Sequence, residues 1–377
     1  MSFRENLSEF WNNIHCNLFP QLEEDIGELS SEHKKLISIL ELVRIEDFIP
    51  CTKFNEGRPI KERKAIARAN IAKIVFKFSY TKQLVKYLNI DKQLKSICGF
   101  DAYKKVPSDS TFSRAFKEFT NSSLPEKVHQ VLIKGAYKDQ VIFHVAIDST
   151  PLEAREKHLK KDTLKNRNKL KAAKKRARKA GALNRREQQL KEKDIDKMIL
   201  DLPIQCDKGM KKSAQGNTRN WKGYKLHAAV DDNCIPLAII VTSASVNDCE
   251  VAIPLMLKSK LVLAQNFYYL MDAAYDHPEI AECSISLGSV SIIDLCPENA
   301  NEKIEKEAEK ERKKLLNFQT AEDKRYKERF PKERFNASYK DYNGGSHIIY
   351  KGHAKVTCHV MFGALTFAAA TIISLIQ

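Results

Sequence analysis

The segment VIFHVAID, residues 141–148, decides the fold class of this 377-residue chain. Its apolar, β-branched and aromatic residues predict a buried strand that ends abruptly at the carboxylate of Asp148. A second strand, Phe267–Met271, is expected to end in the same way at Asp272. Carboxylates at the ends of central strands lie on the rim where open α/β folds place their ligand sites. If the two strands are neighbours, the two acids can share divalent cations, because hard oxygen ligands suit Mg²⁺ or Mn²⁺.

Three further strands complete the predicted sheet. Tyr224–Val230 and Ile235–Thr242 flank the turn Asp231–Cys234, which predicts a hairpin. Ser289–Ile293 is a fifth strand, followed by Asp294. We therefore predict an α/β domain over residues 140–377, with a mixed five-stranded sheet flanked by helices.

The first 139 residues predict helices only. Residues 1–50 hold ten acids against four basic residues, a charge that disfavours contact with DNA. Residues 51–139 are expected to form a separate helical domain, in which Ser108 or Asp109 caps a helix. Arg114 and Lys117 would point outward from that helix. This pattern is compatible with a helix-turn-helix DNA-binding domain, and plain helical packing is an equal alternative.

Composition favours a polyanionic partner in a reducing compartment. The formal net charge of +16 and a pI near 9.3 exclude an acidic, disordered activator. Nine cysteines without a paired spacing indicate a cytoplasmic location and no zinc site. The apolar stretch Val360–Ile376 is predicted to be a buried core helix rather than a membrane span.

A basic insertion, residues 155–220, interrupts the predicted sheet. Its part from Arg155 to Leu200 carries eighteen basic residues against six acids, a net charge of +12. The densest portion has helix-forming residues without an apolar stripe, so a core helix is excluded there. A solvated helix is one interpretation, and contact with DNA phosphates is the one we favour. The residues expected to make those contacts are Lys174, Lys175, Arg176 and Arg178.

Near the C-terminus, a Tyr, an Arg, a Glu and a Lys follow one another at fixed offsets. They are Tyr326, Arg329, Glu333 and Lys340. Because Pro331 is expected to begin a helix, Tyr326 and Arg329 are placed on the preceding turn, while Glu333 and Lys340 share one helix face.

Together these motifs resemble the DDE transposases of bacterial insertion sequences, in particular the IS-four and IS-five-like superfamily. The resemblance spans almost the whole chain, and its strength lies in the order of its pieces. They are Ala146–Thr150, Trp221–His227, Val241–Ala244 with Asn247 and Asp248, Met271–Asp276, the Tyr-Arg-Glu-Lys series, and Val106–Arg114 in the N-terminal part.

The resemblance implies an RNase H-like core in which Asp148, Asp272 and Glu333 hold two Mg²⁺ ions, with Mn²⁺ as a substitute. It implies cleavage at the terminal inverted repeats of an element and transfer of the freed strand into target DNA, both in double-stranded DNA. Tyr326, Arg329 and Lys340 would contact the DNA backbone near the cut. No membrane partner is expected, and a homodimer in the synaptic complex is left open.

Other residues near these motifs have competing interpretations. His227 and Asp248 are candidates for supporting the metal ligands, although a sheet histidine and a helix-capping aspartate are the plainer explanations. Asp276 is expected to act as a helix cap, and Asp231 as a turn residue. The family usually has Gly where this chain has Ala274, so the local turn is expected to differ.

Two other functions compete with an active transposase. One is a catalytically inactive or domesticated copy that binds DNA as a repressor. The other is a stand-alone nuclease with the same core. Both are disfavoured because the three acids and the Tyr-Arg-Glu-Lys series are intact.

Overall fold

The computed structural model describes residues 3–50, 62–138, 140–157, 176, 181–192, 194–212, 218–294, 300–346 and 348–375. The chain divides into two compact units. The helical unit comprises Met1–Ala136, Glu153–Arg155 and Asn336–Gln377, and the sheet unit comprises Tyr137–Leu152 and Glu156–Phe335. The predicted division into three functional domains stays a prediction; by packing, the acidic N-terminal segment belongs to the same unit as the helices that follow it.

The helical unit contains eight N-terminal helices and the C-terminal helix among its described residues. A π-helical stretch, Ile14–Leu18, and a 3₁₀ turn, Ile45–Phe48, link some of them. The helices are α1 (Phe3–Asn13), α2 (Phe19–Ile26), α3 (Ser31–Val43), α4 (Arg63–Val75), α5 (Thr81–Ile90), α6 (Lys92–Ile97), α7 (Asp109–Asn121), α8 (Leu124–Tyr137), which ends in the sheet unit, and α16 (His353–Ser374).

Helix caps and apolar stripes explain where these helices lie. Ser30 begins α3 because its hydroxyl accepts a hydrogen bond from the backbone N–H of His33 at 3.2 Å. Asp91 does the same for α6 through the N–H of Leu94 at 2.8 Å. Helix α16 packs against α3, α4 and α7 and contributes Phe362 to their common core.

Helix α16 is the one helix in the described part of the chain that is long and apolar enough to cross a membrane. In its most apolar window, 78% of the residues are buried inside the protein. The prediction of a buried C-terminal core helix is therefore confirmed.

The sheet unit is built on a six-stranded mixed sheet. The strands are β1 (Val141–Glu153), β2 (Asp207–Lys212), β3 (Thr218–Asp231), β4 (Pro236–Ser243), β5 (Gln265–Met271) and β6 (Val290–Ile293). Their order is β2-β3-β1-β5-β6, with β4 also paired to β3. Strands β1, β5 and β6 run parallel, whereas β2 and β4 are antiparallel to β3.

Helices flank this sheet, as the sequence predicts. They are α9 (Arg185–Lys191), α10 (Ile195–Leu200), α11 (Cys249–Lys260), α12 (Pro278–Ser286), α13 (Ala300–Leu315), α14 (Ala321–Lys327) and α15 (Phe330–Tyr342). Helix α15 begins in the sheet unit and ends in the helical unit.

Two features of the sheet differ from the prediction. Strand β1 does not end at Asp148 but continues to Glu153, because Thr150 and Leu152 are still buried. Strand β2 lies within the basic insertion and brings the number of described strands to six instead of five. Its Gly209 lies opposite Trp221 of β3, and a side chain there would overlap the indole ring, so a glycine allows the two strands to pack.

Candidate active site

Asp148 and Asp272 stand opposite each other on neighbouring parallel strands. The register of β1 and β5 pairs Ala146 with Leu270. Asp148 lies two residues further along β1, and Asp272 lies two residues after Leu270, directly after the end of β5. Residues two apart in a strand project from the same face, and paired strands lie about 4.8 Å apart. The structure therefore brings together the two acids that the sequence places at strand ends.

The backbone after β5 fixes the orientation of Asp272. Its Oδ1 accepts a hydrogen bond from the N–H of Ala274 at 3.0 Å, which caps the 3₁₀ turn Ala273–Tyr275. Ala274 is not among the described residues with positive φ, so the departure from the family's glycine introduces no strain. The expectation that the local turn differs from the family's stays a prediction.

Burial and a neighbouring like charge both raise the pKa of Asp272. Burial raises the pKa of its carboxyl, and the neighbouring Asp148 carboxylate raises it further. The Lys332 ammonium and the hydrogen bond from Ala274 act in the opposite direction without cancelling the rise. Two carboxylates that repel each other in this way form a site that a cation stabilises.

Lys332 is the cation that the structure places beside these acids. Its side chain is 3% exposed, and its Nζ lies 3.9 Å from Asp148 Oδ2 and 3.5 Å from the carbonyl oxygen of Ile147. Burial lowers the pKa of Lys332, while the Asp148, Asp272 and Glu333 carboxylates oppose that change. The motif residues alone do not indicate a role for Lys332, although its position three residues before the buried Phe335 of α15 is a signal for the inward face.

Glu333 follows Lys332 in α15 and its side chain is exposed. Within the described ranges, no group of three or more His, Cys, Asp or Glu side chains is arranged to hold a metal ion. The carboxylate oxygens of Asp148 and Asp272 fit a divalent cation in chemistry and charge. The assignment of Glu333 as the third ligand stays a prediction.

Tyr326 and Arg329 contact each other. The Arg329 guanidinium donates a hydrogen bond to the Tyr326 hydroxyl and lies 4.6 Å from the centre of its ring. Burial raises the pKa of Tyr326; Arg329 opposes this rise, and Asp294, Asp272 and Asp148 add to it. Tyr326 is therefore close enough to these acids for their charge to affect its pKa.

The helix boundaries in this region differ partly from the prediction. Tyr326 lies in α14 rather than on a turn, and Arg329 lies between α14 and α15. Pro331 is the second residue of α15, in agreement with its expected place at the start of the helix. Lys340 lies two turns after Glu333 on α15, in the part that belongs to the helical unit.

Asp248 lies in a partly buried cluster of polar groups beside the strands. Its Oδ1 is 2.9 Å from Lys225 Nζ and 3.9 Å from His227 Nδ1. Burial raises the pKa of Asp248, but the neighbouring His227 ring, the Lys225 ammonium and the Ser149 hydroxyl outweigh it, so the pKa lies below its usual range. Asp248 holds the N-cap position of α11 without a side-chain capping bond. The helix-cap explanation is thus wrong for its carboxylate.

His227 is fully buried on β3. Its Nε2 lies 2.9 Å from Thr242 Oγ1, and burial lowers the pKa of the ring to about 4. The ring is therefore neutral at physiological pH. Lys225, which lies two residues earlier, belongs to the motif Trp221–His227, and the sequence alone predicts no role for it.

The remaining acids have structural partners. Asp231 ends β3 and accepts hydrogen bonds from the Tyr137 hydroxyl and from the N–H of Ile235 at 2.7 Å, as a turn residue. Asp276 does not cap α12, because His277 holds that position.

Helix α7 begins after Ser108, the expected N-cap, although no side-chain capping bond forms there. Arg114 and Lys117 are exposed on its outer face, as predicted. In the basic insertion, Arg176 is helical and exposed, while Lys174, Lys175 and Arg178 lie outside the described residues.

Both the N-terminal part and the rest of the chain match known protein families. Residues 141–368 match the family described as Transposase DDE domain, and residues 23–118 match the family described as Transposase domain (DUF772). No curated protein and no solved structure gives a match. The sheet with its flanking helices is consistent with an RNase H-like DDE domain. Since the first match covers more than half of the chain, the protein belongs to the family of transposases with a DDE domain.

Proposed function

We propose that this transposase cleaves DNA strands at the ends of an insertion sequence of the IS-four and IS-five-like type and joins them to target DNA in the cytoplasm. The observation that supports the proposal most is the juxtaposition of Asp148 and Asp272 on paired parallel strands. Their repulsion, which helps to raise the pKa of Asp272, is what divalent cations relieve.

In this proposal, Asp148, Asp272 and Glu333 supply the oxygen ligands for Mg²⁺, or for Mn²⁺ in its place. Two such ions, when bound, would stabilise the charge on the attacking and leaving oxygens of an in-line phosphoryl displacement. Lys332 balances part of the carboxylate charge in the protein alone, since its Nζ is 3.9 Å from Asp148.

The other side chains of the site position DNA and the acids. Arg329 offers a planar pair of donors suited to a phosphate, and the contact with Tyr326 fixes its orientation. Lys340, on the part of α15 that belongs to the helical unit, would contribute a separate point charge toward the DNA backbone. The partly buried Lys225 holds Asp248 in place.

The DNA partners follow from the same proposal. Arg114 and Lys117 of α7 would contact the terminal inverted repeats, and the basic insertion would bind phosphates of the element or the target. A homodimer would bring two ends together in the synaptic complex.

The test is cleavage of a DNA fragment that carries the repeats flanking the coding region. We expect the wild-type protein to nick this fragment in Mg²⁺ and Asp272→Asn to lose roughly 10³-fold in rate, since metal stabilisation of the transition state is worth several kcal/mol. DNA affinity, measured by gel shift, should be unchanged.

A matched control is Asp294→Asn. Asp294 also follows a strand, but it is paired with Lys306 at 2.8 Å and is expected to have no part in catalysis. Retained cleavage by Asp272→Asn would exclude the metal-site assignment. A wild-type protein that binds the repeats but cuts nothing in Mg²⁺ or Mn²⁺ would instead support the inactive repressor.

A further inference from the structure

A cleft in the sheet unit lies between helix α14 and the beginnings of strands β1 and β5. Its polar lining comes from two residues of the sheet and from three charged residues of α14 and the position after it. They are His144, Tyr268, Lys324, Arg325 and Glu328. None of them belongs to the proposed metal site or to the Tyr-Arg-Glu-Lys series. The cleft is therefore a separate candidate for a binding site.

The polar lining of the cleft lies on the same face of the sheet as the acids. His144 precedes Asp148 by four residues on β1, and Tyr268 precedes Asp272 by four. An even spacing keeps side chains on one face, and four residues of a strand span about 13 Å. A ligand that reaches from the acids to the cleft thus follows a single face of the sheet.

Two phenylalanine rings border the cleft without sharing that face. Phe143 and Phe267 come one residue before His144 and Tyr268, so they project from the opposite face of the sheet. Recognition on the face of the acids therefore depends on the polar and charged groups of the cleft.

An ordered stack holds the Arg325 guanidinium in the cleft. The guanidinium lies 4.8 Å from the centre of the Tyr268 ring, and the His144 ring stacks against Tyr268 with 5.6 Å between the ring centres. Asp232 orients His144 in turn, because its Oδ1 lies 2.9 Å from Nδ1 and its Oδ2 accepts a hydrogen bond from the backbone N–H at 3.2 Å. Arg325 therefore loses little freedom when it binds a planar pair of oxygens.

Positive charge exceeds negative charge in the cleft. In the part of the chain that the structure describes, no carboxylate lies within ion-pair distance of Lys324 or Arg325. Glu328 is exposed and sets one negative charge against these two positive ones. A fork of N–H donors suits two oxygens of a phosphate, and a neighbouring ammonium adds a point charge. The cleft therefore suits a phosphate group.

Helix α14, which supplies the two cations, also lies beside the acids. Tyr326 follows Arg325, and burial raises its pKa with a further rise from the charges of Asp272 and Asp148. A separation of about 13 Å corresponds to about four nucleotides along the axis of a DNA strand. A strand that is cut at the acids would thus carry another of its phosphates to the cleft.

We infer that this cleft binds one backbone phosphate of the DNA strand that is cut at the acids. Arg325, held by Tyr268, donates to two phosphate oxygens, and Lys324 supplies the second positive charge. Such a contact fixes the register of the strand and reads no base sequence. This inference rests on the proposed function, which supplies the strand and the cut.

The probe is a terminal-repeat duplex in which one phosphate of the strand to be cut is replaced by an uncharged methylphosphonate, prepared for each phosphate in turn. Fluorescence anisotropy measures affinity without divalent cations, so that no metal-dependent cleavage intervenes. We expect the wild type to lose roughly fivefold to tenfold in affinity at one phosphate about four nucleotides from the end of the repeat. Arg325→Gln should show the same loss on unmodified DNA and no further loss at that phosphate, because the two changes remove one contact.

Variants of the neighbouring charges sharpen the assignment. Lys324→Gln should weaken binding and lower the slope of log affinity against log salt concentration by about one. Glu328→Gln should strengthen binding roughly twofold to fivefold, because it removes a repulsion from the phosphate. The matched controls are Lys327→Gln and Glu322→Gln, exposed residues of α14 that do not line the cleft. In both controls, the methylphosphonate at the cleft phosphate should cost as much affinity as in the wild type.

Three results would overturn the inference. One is an Arg325→Gln loss that adds to the methylphosphonate loss at every phosphate. Another is a Lys327→Gln protein that loses the effect of the same methylphosphonate, since the effect would then be that of general surface charge. The third is an Arg325→Gln protein that changes only in self-association by ultracentrifugation. Thermal unfolding identifies a folding defect, in which case Arg325→Lys, which keeps the charge without the fork, takes its place.

The phosphate site and the catalytic proposal can fail separately. The assay needs no cleavage, so Asp272→Asn should respond to the methylphosphonates as the wild type does. The expected Arg325 result in a protein that cuts nothing in Mg²⁺ would reject catalysis and keep the phosphate site. Cleavage with additive losses at every phosphate would reject the phosphate site alone.

Discussion

The helical unit and the sheet unit each bury a lysine, and the two lysines have different surroundings. Lys73 on α4 and Lys332 on α15 are both 3% exposed. Lys73 faces Tyr350, with its Nζ 3.4 Å from the hydroxyl and 5.2 Å from the ring centre. No carboxylate pairs with it among the described residues. Lys332 lies beside Asp148.

The charge of Lys73 lowers the stability of the fold, whereas the charge of Lys332 balances the acids of the candidate site. Burial alone lowers the pKa of Lys73 to about 8, so its charge is held at the expense of stability. Burial also lowers the pKa of Lys332, but three carboxylates act against that change. The helical unit tolerates its buried charge, whereas the sheet unit uses one to balance the acids.

The largest expected effect is on the stability of the helical unit. Because the pKa of Lys73 falls from 10.5 to about 8 on folding, the penalty is complete below pH 8 and disappears as the pH rises toward 10.5. Lys73→Met should therefore stabilise the protein by roughly 2 to 3 kcal/mol at pH 7, after allowing for the lost contacts with Tyr350. Urea unfolding at pH 7 and pH 9.5 should show the gain shrinking at the higher pH.

Lys86→Met, an exposed lysine on α5, is the control for the loss of a positive charge. If Lys73→Met destabilises the protein at pH 7, Lys73 has a favourable role and the contrast between the two units is wrong.

A buried acid in the sheet unit should give the opposite pH dependence. Burial raises the pKa of Asp231 from 3.8 to about 6, so the stability it contributes is complete below pH 4 and is lost as the pH rises through 6. Asn can accept from the same backbone N–H groups and donate to the Tyr137 oxygen. Asp231→Asn should thus stabilise the protein by about 2 kcal/mol at pH 8 and by nothing at pH 4.

Thermal unfolding across that pH range checks this prediction, with the exposed Asp201→Asn as the control. A loss of stability at pH 8 would mean that the ionised carboxylate is favourable in the fold.

The positions of Asp148 and Asp272 could be predicted from the sequence, whereas the charge that balances them could not. A carboxylate after an apolar run predicts an acid beside the buried part of a strand, although β1 continues past Asp148 to Glu153. The parallel pairing follows from the helices between the strands. The role of Lys332 could not be predicted, because a lysine next to the motif glutamate is expected to be exposed to solvent. Only the burial of Phe335 shows which face of the helix points inward.

The number of strands in the sheet and the length of β1 could not be predicted from the sequence either. Strand β2 is too polar to show alternation, and its Gly209 leaves room for the indole of Trp221 on β3. Pro151 signals the end of a strand, yet the buried Leu152 keeps β1 extended. In both places, contacts distant in sequence outweigh the local pattern.

The next effect compares the two lysines directly. A unit charge about 4 Å from a carboxylate is worth up to about 4 kcal/mol at the effective dielectric constant near a protein surface, and it opposes the binding of a cation. Lys332→Met should lower the dissociation constant for Mn²⁺ roughly tenfold in the absence of DNA, and Lys73→Met should leave it unchanged. Calorimetric titration of both variants measures the difference.

The stability of both variants is measured in parallel, so that a folding defect is recognised. Equal Mn²⁺ affinity in the wild type and Lys332→Met would show that Lys332 does not oppose metal binding, and the distinction between the two buried lysines would then rest on stability alone.

The smallest expected effect tests whether the helical unit contributes DNA recognition while the sheet unit contributes chemistry. Arg114 and Lys117 are both exposed on α7, but the Arg114 guanidinium is oriented by Ser110 O at 3.3 Å and Thr111 Oγ1 at 3.4 Å. An oriented guanidinium suits base recognition, whereas a lysine suits a phosphate. Arg114→Ala should reduce the preference for terminal over random DNA by roughly fivefold to tenfold, about 1 kcal/mol.

Lys117→Ala should weaken binding to both DNAs equally, and it should lower the slope of log affinity against log salt concentration by about one. If both variants behave alike, α7 contacts only the backbone, and sequence recognition must come from another part of the protein.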